Sequence, residues 1–309
     1  VPSEIRHQTA DAGEISIHYA EAGPAPGAGA PRGEAEPILF MHGFPQFWFL
    51  WRNQLADLGR DFHCVAPDLR GFNLSDKPAE PDAYRMRHLL ADVDGLLEHL
   101  GWERFTLVGH DWGGIISWAW ALKNPERLRR FVILDSPPPF TWNRDLRESA
   151  AQREAVAYML QLSRPYPEPE EMLASEDFDF LFSMLERIGG DSAALGDEER
   201  AAYREAWSQP GALRGGVNYY RAARMGEQVA AGGVPEEYER KITAQRLEVP
   251  TQVIWGEDDP ALLVHLTEGL ERWVPDMRLA KLPGAGHWLP YERPAEVNRI
   301  IRDFIAETG

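Results

Sequence analysis

One cysteine, Cys64, stands among 309 residues. A lone thiol forms no internal disulfide, and its place in the apolar run FHCVAPD reads as a small buried hydrophobe, not a reactive nucleophile. Basic residues are also scarce. The chain sets 32 Lys and Arg against 49 Asp and Glu, for a formal charge of −17. Such an acidic excess repels phosphate backbones and anionic lipid, so neither nucleic acid nor a membrane surface is an expected partner. No apolar run reaches the ~18 residues of a spanning helix, and the stretch VPSEIRHQTADAG lacks the basic-then-apolar order of a signal peptide. A cytoplasmic location is the expectation, and the acceptor-like Asn73-Leu74-Ser75 then reads as chance. Metal-binding patterns are missing as well. There is no HExxH, no Cys/His pairing at ligand spacing and no dinucleotide fingerprint, so neither a metal nor an organic cofactor is expected. Nothing in the sequence speaks to oligomeric state.

The chain does hold an alternation of β-rich and helical stretches. Strand candidates are 15–23, 37–43, 62–68, 105–111 and 130–136, with a helix over 83–100 whose Leu89, Leu90, Val93, Leu96 and Leu97 recur at helical spacing. Their continuous apolar runs predict a mostly parallel sheet covered on both faces, the α/β class. Between PPP at 137–139 and VPTQVIWG at 249–256 no strand is evident, and the interval is polar and helix-prone. The alternation resumes with a strand at 251–256, a helix near 262–273, a strand at 277–284 and a closing helix near 292–306. The division that follows is a core over 1–137 and 248–309 with an inserted helical lid over 138–247. A lid there would cover the carboxyl ends of the strands, where open α/β sheets bind ligands.

Chemistry concentrates in three strings. In FTLVGHDWGG a strand runs into Gly109-His110-Asp111-Trp112-Gly113, the frame of a G-x-S-x-G nucleophile elbow with aspartate in the serine position. An aspartate before a helix ordinarily serves as a cap, but the flanking glycines and the two other strings point to a nucleophile. His42-Gly43-Phe44-Pro45 follows a strand directly. In an elbow fold that loop supplies one oxyanion-hole N–H and the residue after the nucleophile supplies the other, which makes Phe44 and Trp112 the donors. LPGAGHWLPYERP places His287 in a late loop, in the chain order nucleophile, acid, histidine. Two acids end strands within reach of that imidazole. Asp259 in WGEDDPALL is favoured by position, and Asp135 in ILDSPPP is the alternative.

Together HGFPQFWFLWRNQL, APDLRGFNLSDKP, GHDWGG, WGEDDPAL and GAGHWLPYERP resemble the epoxide hydrolase family of the α/β-hydrolase superfamily, in family order and over nearly the whole chain. That resemblance implies an α/β-hydrolase fold with a helical cap, and a small apolar epoxide and water as reactants. It also implies two cap tyrosines that bind and protonate the epoxide oxygen. Tyr220 in GGVNYYRAARM matches the second, with Tyr219 where the family usually has Trp. Tyr158 is the match for the first by context, with Tyr166 as fallback. Phe44, Trp112 and Trp288 are expected to line the substrate site.

The aspartate suits this chemistry. Serine attacking a saturated carbon would form an ether, which water cannot cleave, whereas aspartate forms an ester with a carbonyl that water can attack. The HDWG string is shared with haloalkane dehalogenases, so dehalogenation of a haloalkane or haloacid is the nearest rival. Such enzymes usually carry Asn where this chain has Phe44, and fluoroacetate dehalogenases carry arginines where it has Trp112 and Ile115. A binding protein on a hydrolase scaffold is the rival from another class.

Overall fold

The computed structural model describes residues 2–24, 35–189, 195–235, 237, 241 and 244–308. Its strands form one eight-stranded sheet in the order β1-β2-β4-β3-β5-β6-β7-β8. β1 (Ile5–Asp11) and β2 (Ser16–Ala22) pair antiparallel at one edge, and β2 runs antiparallel to β4 (His63–Pro67). From there all pairings are parallel, through β3 (Pro37–Met41), β5 (Phe105–His110), β6 (Leu128–Leu134), β7 (Thr251–Gly256) and β8 (Met277–Leu282).

The unbroken apolar runs follow from burial on both faces. Ile38, Phe40, Cys64, Val108 and Val132 point to one side, against Leu55 of α1 (Arg52–Leu58) and Ile301 and Phe304 of the C-terminal helix (Pro294–Glu307). Leu39, Met41, Val65, Leu107 and Ile133 point to the other, against Val93 and Leu97 of α2 (Met86–Leu100) and Ile116 of α3 (Asp111–Lys123). Cys64 sits inside the first layer with its thiol pushed up by burial.

Two elements differ from the sequence reading. β1 was not expected, because IRHQTAD carries exposed polar side chains on an edge strand and shows little apolar alternation. The helix expected near 262–273 is instead two 3-10 turns, Val264–Thr267 and Leu270–Arg272. Gly269 between them is left-handed at φ +76°, which stops helical propagation.

Between β6 and β7 the described residues form helices and no strand. These are α4 (Pro139–Glu148), α5 (Ala150–Ala155), α6 (Tyr158–Leu162), α7 (Glu168–Ile188), α8 (Asp197–Trp207), α9 (Ala212–Ala222) and α10 (Met225–Ala231). The expected 138–247 insertion also takes in 190–194 and parts of 236–243, which lie outside the described residues. α7 is broken internally, where Glu176, Asp177 and Phe178 have φ of 47°, 56° and 66°. Hydrogen bonds fasten the insertion over the strand ends. Trp207 Nε1 donates to the Pro45 carbonyl at 2.8 Å, and Tyr219 Oη to the Arg70 carbonyl at 2.8 Å.

Candidate active site

At the end of β5 the backbone turns into α3 within one residue. Asp111 has φ +49°, an uncommon conformation for a residue with a side chain, and Ser136 Oγ donates to its carbonyl at 2.8 Å. The turn requires close approach by two neighbours. A Cβ on Gly113 would lie 2.3 Å from the Met41 carbonyl oxygen, and one on Gly43 would lie 2.0 Å from Asp111 Oδ1. Both strings found in the sequence therefore meet at one point, and glycine is what lets them.

Phe44 N–H donates to Asp111 Oδ1 at 2.8 Å, and the Trp112 backbone N–H also serves this carboxylate. The side chain is 13% exposed, with Oδ2 3.8 Å from His287 Nε2. Burial works against its charge, but His287 and these N–H groups outweigh that and hold the carboxyl below its usual range.

His287 Nδ1 lies 2.7 Å from Asp259 Oδ2. The other oxygen of Asp259 accepts from Ala261 N–H at 2.8 Å and Leu262 N–H at 2.9 Å, so the carboxylate is fixed at both ends. Burial disfavours a charged imidazole, yet Asp259 and Asp111 on its two sides raise His287 well above the ordinary histidine range. Asp135 is arranged otherwise. Its Oδ1 accepts from Gly256 N–H at 2.8 Å, and its buried Oδ2 has no hydrogen-bond partner. Burial and the neighbouring Asp259 push its carboxyl well up. Of the two candidate acids, Asp259 and not Asp135 is hydrogen-bonded to His287.

Beside Asp111, the Tyr220 ring stands edge-on to Phe44 and Trp112, with centroids 5.5 and 5.2 Å apart. The Trp112 side chain and the Tyr158 phenol are its polar neighbours. Burial raises both phenols, with Asp111 adding to the shift in each. Tyr219 turns away to the Arg70 carbonyl. Tyr166, the fallback, is 57% exposed with Arg214 over its ring, 4.5 Å from the centroid.

A cavity of about 250 Å³ opens on Asp111 and Trp112, walled by Trp142, Met86, Met159 and Met225 with Gln228 among them. The methionines had no motif to reveal them. They come from separate helices and meet only through the fold. Thioether side chains deform easily, which suits an apolar ligand of variable shape. Trp288, expected on the substrate wall, is absent from that lining. It is 1% exposed, packs on His287 and His110, and donates its indole N–H to the Leu185 carbonyl at 2.9 Å. Among the described residues no cluster of His, Cys, Asp and Glu could hold a metal ion, and no helix is long and apolar enough to cross a membrane.

Comparison with known proteins agrees with this architecture. Residues 36–294 match the family model described as alpha/beta hydrolase fold. The chain is 33% identical to the AB hydrolase superfamily protein YfhM of Bacillus subtilis, covering 97% of this chain and 98% of that protein. It is 34% identical to epoxide hydrolase 4 of Mus musculus, covering 95% and 77%. The crystal structure of the Bacillus megaterium epoxide hydrolase in complex with an inhibitor superposes with a TM-score of 0.84 at 30% identity, covering 97% of this chain and all of that one. By its sequence and by the arrangement of sheet and inserted helices, this chain belongs to the alpha/beta hydrolase fold family and is epoxide hydrolase-like within it.

Proposed function

We propose that the protein is an epoxide hydrolase acting in two steps on a small apolar epoxide, with the 138–247 insertion as the cap that closes the site. The observation that carries this reading is the pair of neighbouring phenols, Tyr158 and Tyr220, set against the Asp111 carboxylate, which acts on both. Such phenols keep their protons at neutral pH, and the raised values keep them further from ionising.

In the first step Asp111 Oδ2 attacks an epoxide carbon while Phe44 N–H holds Oδ1. The carbon–oxygen bond of the ring breaks, and a tyrosine proton passes to the departing oxygen. The product is a hydroxyalkyl ester of Asp111, and the tyrosine later recovers its proton from water. Esterification removes the Asp111 charge, one of the two that hold the proton on His287. The imidazole then gives up that proton to water, which balances the one the tyrosine takes back, and becomes a base. In the second step it draws a proton from water, and the resulting hydroxide adds to the ester carbonyl. Phe44 and Trp112 N–H groups stabilise the oxyanion. Collapse releases the diol, whose oxygen takes the proton from His287, while Asp259 stabilises the imidazolium in between.

The Trp112 indole stands edge-on to the Tyr220 ring, with 5.2 Å between centroids, and Phe44 takes the place of the Asn that haloalkane dehalogenases usually carry as a second halide donor. Incubation with styrene oxide and, separately, with a bromoalkane and fluoroacetate tests the reading. Diol from the epoxide without halide from the others is expected, and halide without diol would overturn it.

A further inference from the structure

The backbone N–H and C=O of His287 and the N–H groups of both its neighbours are hydrogen-bonded, all to partners outside the catalytic set. Glu292 is buried, and its carboxylate straddles the histidine. Oε2 accepts from Gly286 N–H at 2.8 Å and Oε1 from Trp288 N–H at 2.6 Å. The His287 carbonyl accepts from His110 Nε2 at 2.8 Å, which ties it to the residue before the nucleophile. The His287 N–H donates to the Ile188 carbonyl at 3.1 Å, and the Trp288 indole to the Leu185 carbonyl at 2.9 Å. Leu185 and Ile188 end α7, where carbonyls lack a full set of partners within the helix. The Leu185 carbonyl also accepts from Gly189 N–H at 3.1 Å, and the loop bonds tie this last turn to His287 and Trp288.

Elsewhere the loop is held at its carbonyls, with Arg293 donating to Gly284 at 2.6 Å and Asp258 N–H to Ala285 at 3.0 Å, which leaves the N–H groups of Gly286 and Trp288 to Glu292. Gly284 and Gly286 flank Ala285, and Gly284 is left-handed at φ +68°. On the sheet side it presses on β7, since a Cβ at Gly256 would lie 2.0 Å from the Gly286 carbonyl oxygen. Glu292 thereby sets the 285–286 and 287–288 peptide planes and Ile188 the 286–287 plane between them, and charge-assisted bonds such as those to Glu292 are the strong ones. The break at 175–178 separates this anchored half of α7 from its first half, where Glu170 pairs with Arg221 at 2.5 and 2.9 Å beside Tyr220.

We propose that Glu292 and Trp288 are positioning residues for His287, and that the C-terminal half of α7 belongs to the mounting of the base rather than to the lid proper. The inference rests on the two-step epoxide reading. It separates the steps, because ring opening uses Asp111 and the tyrosines, whereas release of the ester needs a correctly placed imidazole. Misplacing a reacting group by about 1 Å costs on the order of 10²-fold.

The test mixes styrene oxide rapidly with wild-type enzyme, Glu292→Gln and Trp288→Phe, following the intact protein mass and the diol. Gln cannot accept at both ends, and Phe keeps the ring while losing the donor. Ester formation within a few-fold of wild type is expected, with the adduct accumulating in both variants. Diol release should fall on the order of 10²-fold for Glu292→Gln and about 10-fold for Trp288→Phe. Release at the wild-type rate overturns the proposal, and so does an equal fall in both steps, which is what a general structural defect produces. Should Glu292→Gln not fold, Trp288→Phe decides alone. If neither wild type nor His287→Gln forms adduct or diol, the epoxide reading itself fails and takes this inference with it.

Discussion

The floor of the site and its roof are held by different kinds of bond. On the floor, Asp111 is met by backbone N–H groups at the end of β3 and the start of α3, and Asp259 by those of Ala261 and Leu262. These donors sit where the sheet ends, so their positions follow from strand register. In the roof, Tyr158 and Tyr220 come from α6 and α9, which no strand fixes. They are positioned by each other, by Trp112, and by the buried Arg221–Glu170 pair next door. The floor manages charge with fixed dipoles, whereas the roof stores neutral protons in a nonpolar layer. Damage to the floor should therefore be close to absolute, and damage to the roof graded.

The largest expected effect is at Asp111→Asn. The amide keeps the shape and can still accept from Phe44 N–H, but it is no nucleophile. Turnover should drop on the order of 10⁴-fold or more with the unfolding midpoint little changed. Residual activity within about 10-fold, measured on protein free of deamidation, would mean that the floor does not act covalently.

The same contrast governs what could be read before the fold was known. The floor was legible because close backbone contacts demand particular residues in a row. Gly43 and Gly113 leave no room for a Cβ, and so HGFP and GHDWGG persist as strings. The parallel sheet was legible through its doubly buried runs, but edge strand β1 was not, since its exposed residues carry no such pattern. Roof and mounting leave weaker traces. Tyr158 stood out only by context, and the orientation of Trp288 depends on where α7 ends, more than a hundred positions earlier. A tryptophan beside the late-loop histidine reads as a pocket wall until the carbonyl of Leu185 is seen as the acceptor of its indole N–H.

Breaking the roof should give a smaller and divisible effect. Tyr220→Phe is expected to slow ester formation on the order of 10²-fold, and Tyr158→Phe about 10-fold or more, with the double variant departing from additivity because the phenols are neighbours that act on one another. The pH dependence sharpens the point. Burial raises both phenols, so the proton donors persist above their ordinary value near ~10. Ring opening in single-turnover experiments should thus show no alkaline decline through pH 10. A decline beginning near pH 8 would assign the proton to another group.

The smallest effect concerns the two acids at the ends of adjacent strands, and it tests whether the floor's order runs through Asp259 alone. Asp135 is fully buried, with one oxygen bonded to Gly256 N–H and the other unpartnered. Burial first, and then Asp259, raise its carboxyl well above the usual range. The sign follows from proton counting. Above the unfolded value of ~3.9 the unfolded chain loses this proton while the folded chain retains it. Folding therefore becomes less favourable as pH rises from there towards the raised folded value. Asparagine is neutral throughout, can still accept from Gly256 N–H, and removes that dependence. Asp135→Asn should raise the unfolding midpoint at pH 7, narrow the gap between pH 5 and pH 7, and leave diol release within a few-fold of wild type. Asp259→Asn should instead cripple release of the ester, because it leaves the buried imidazolium without its partner. Equal losses of turnover in the two variants would show that both carboxyls serve the histidine, and the floor would then have two orienting acids where the hydrogen bonds give one.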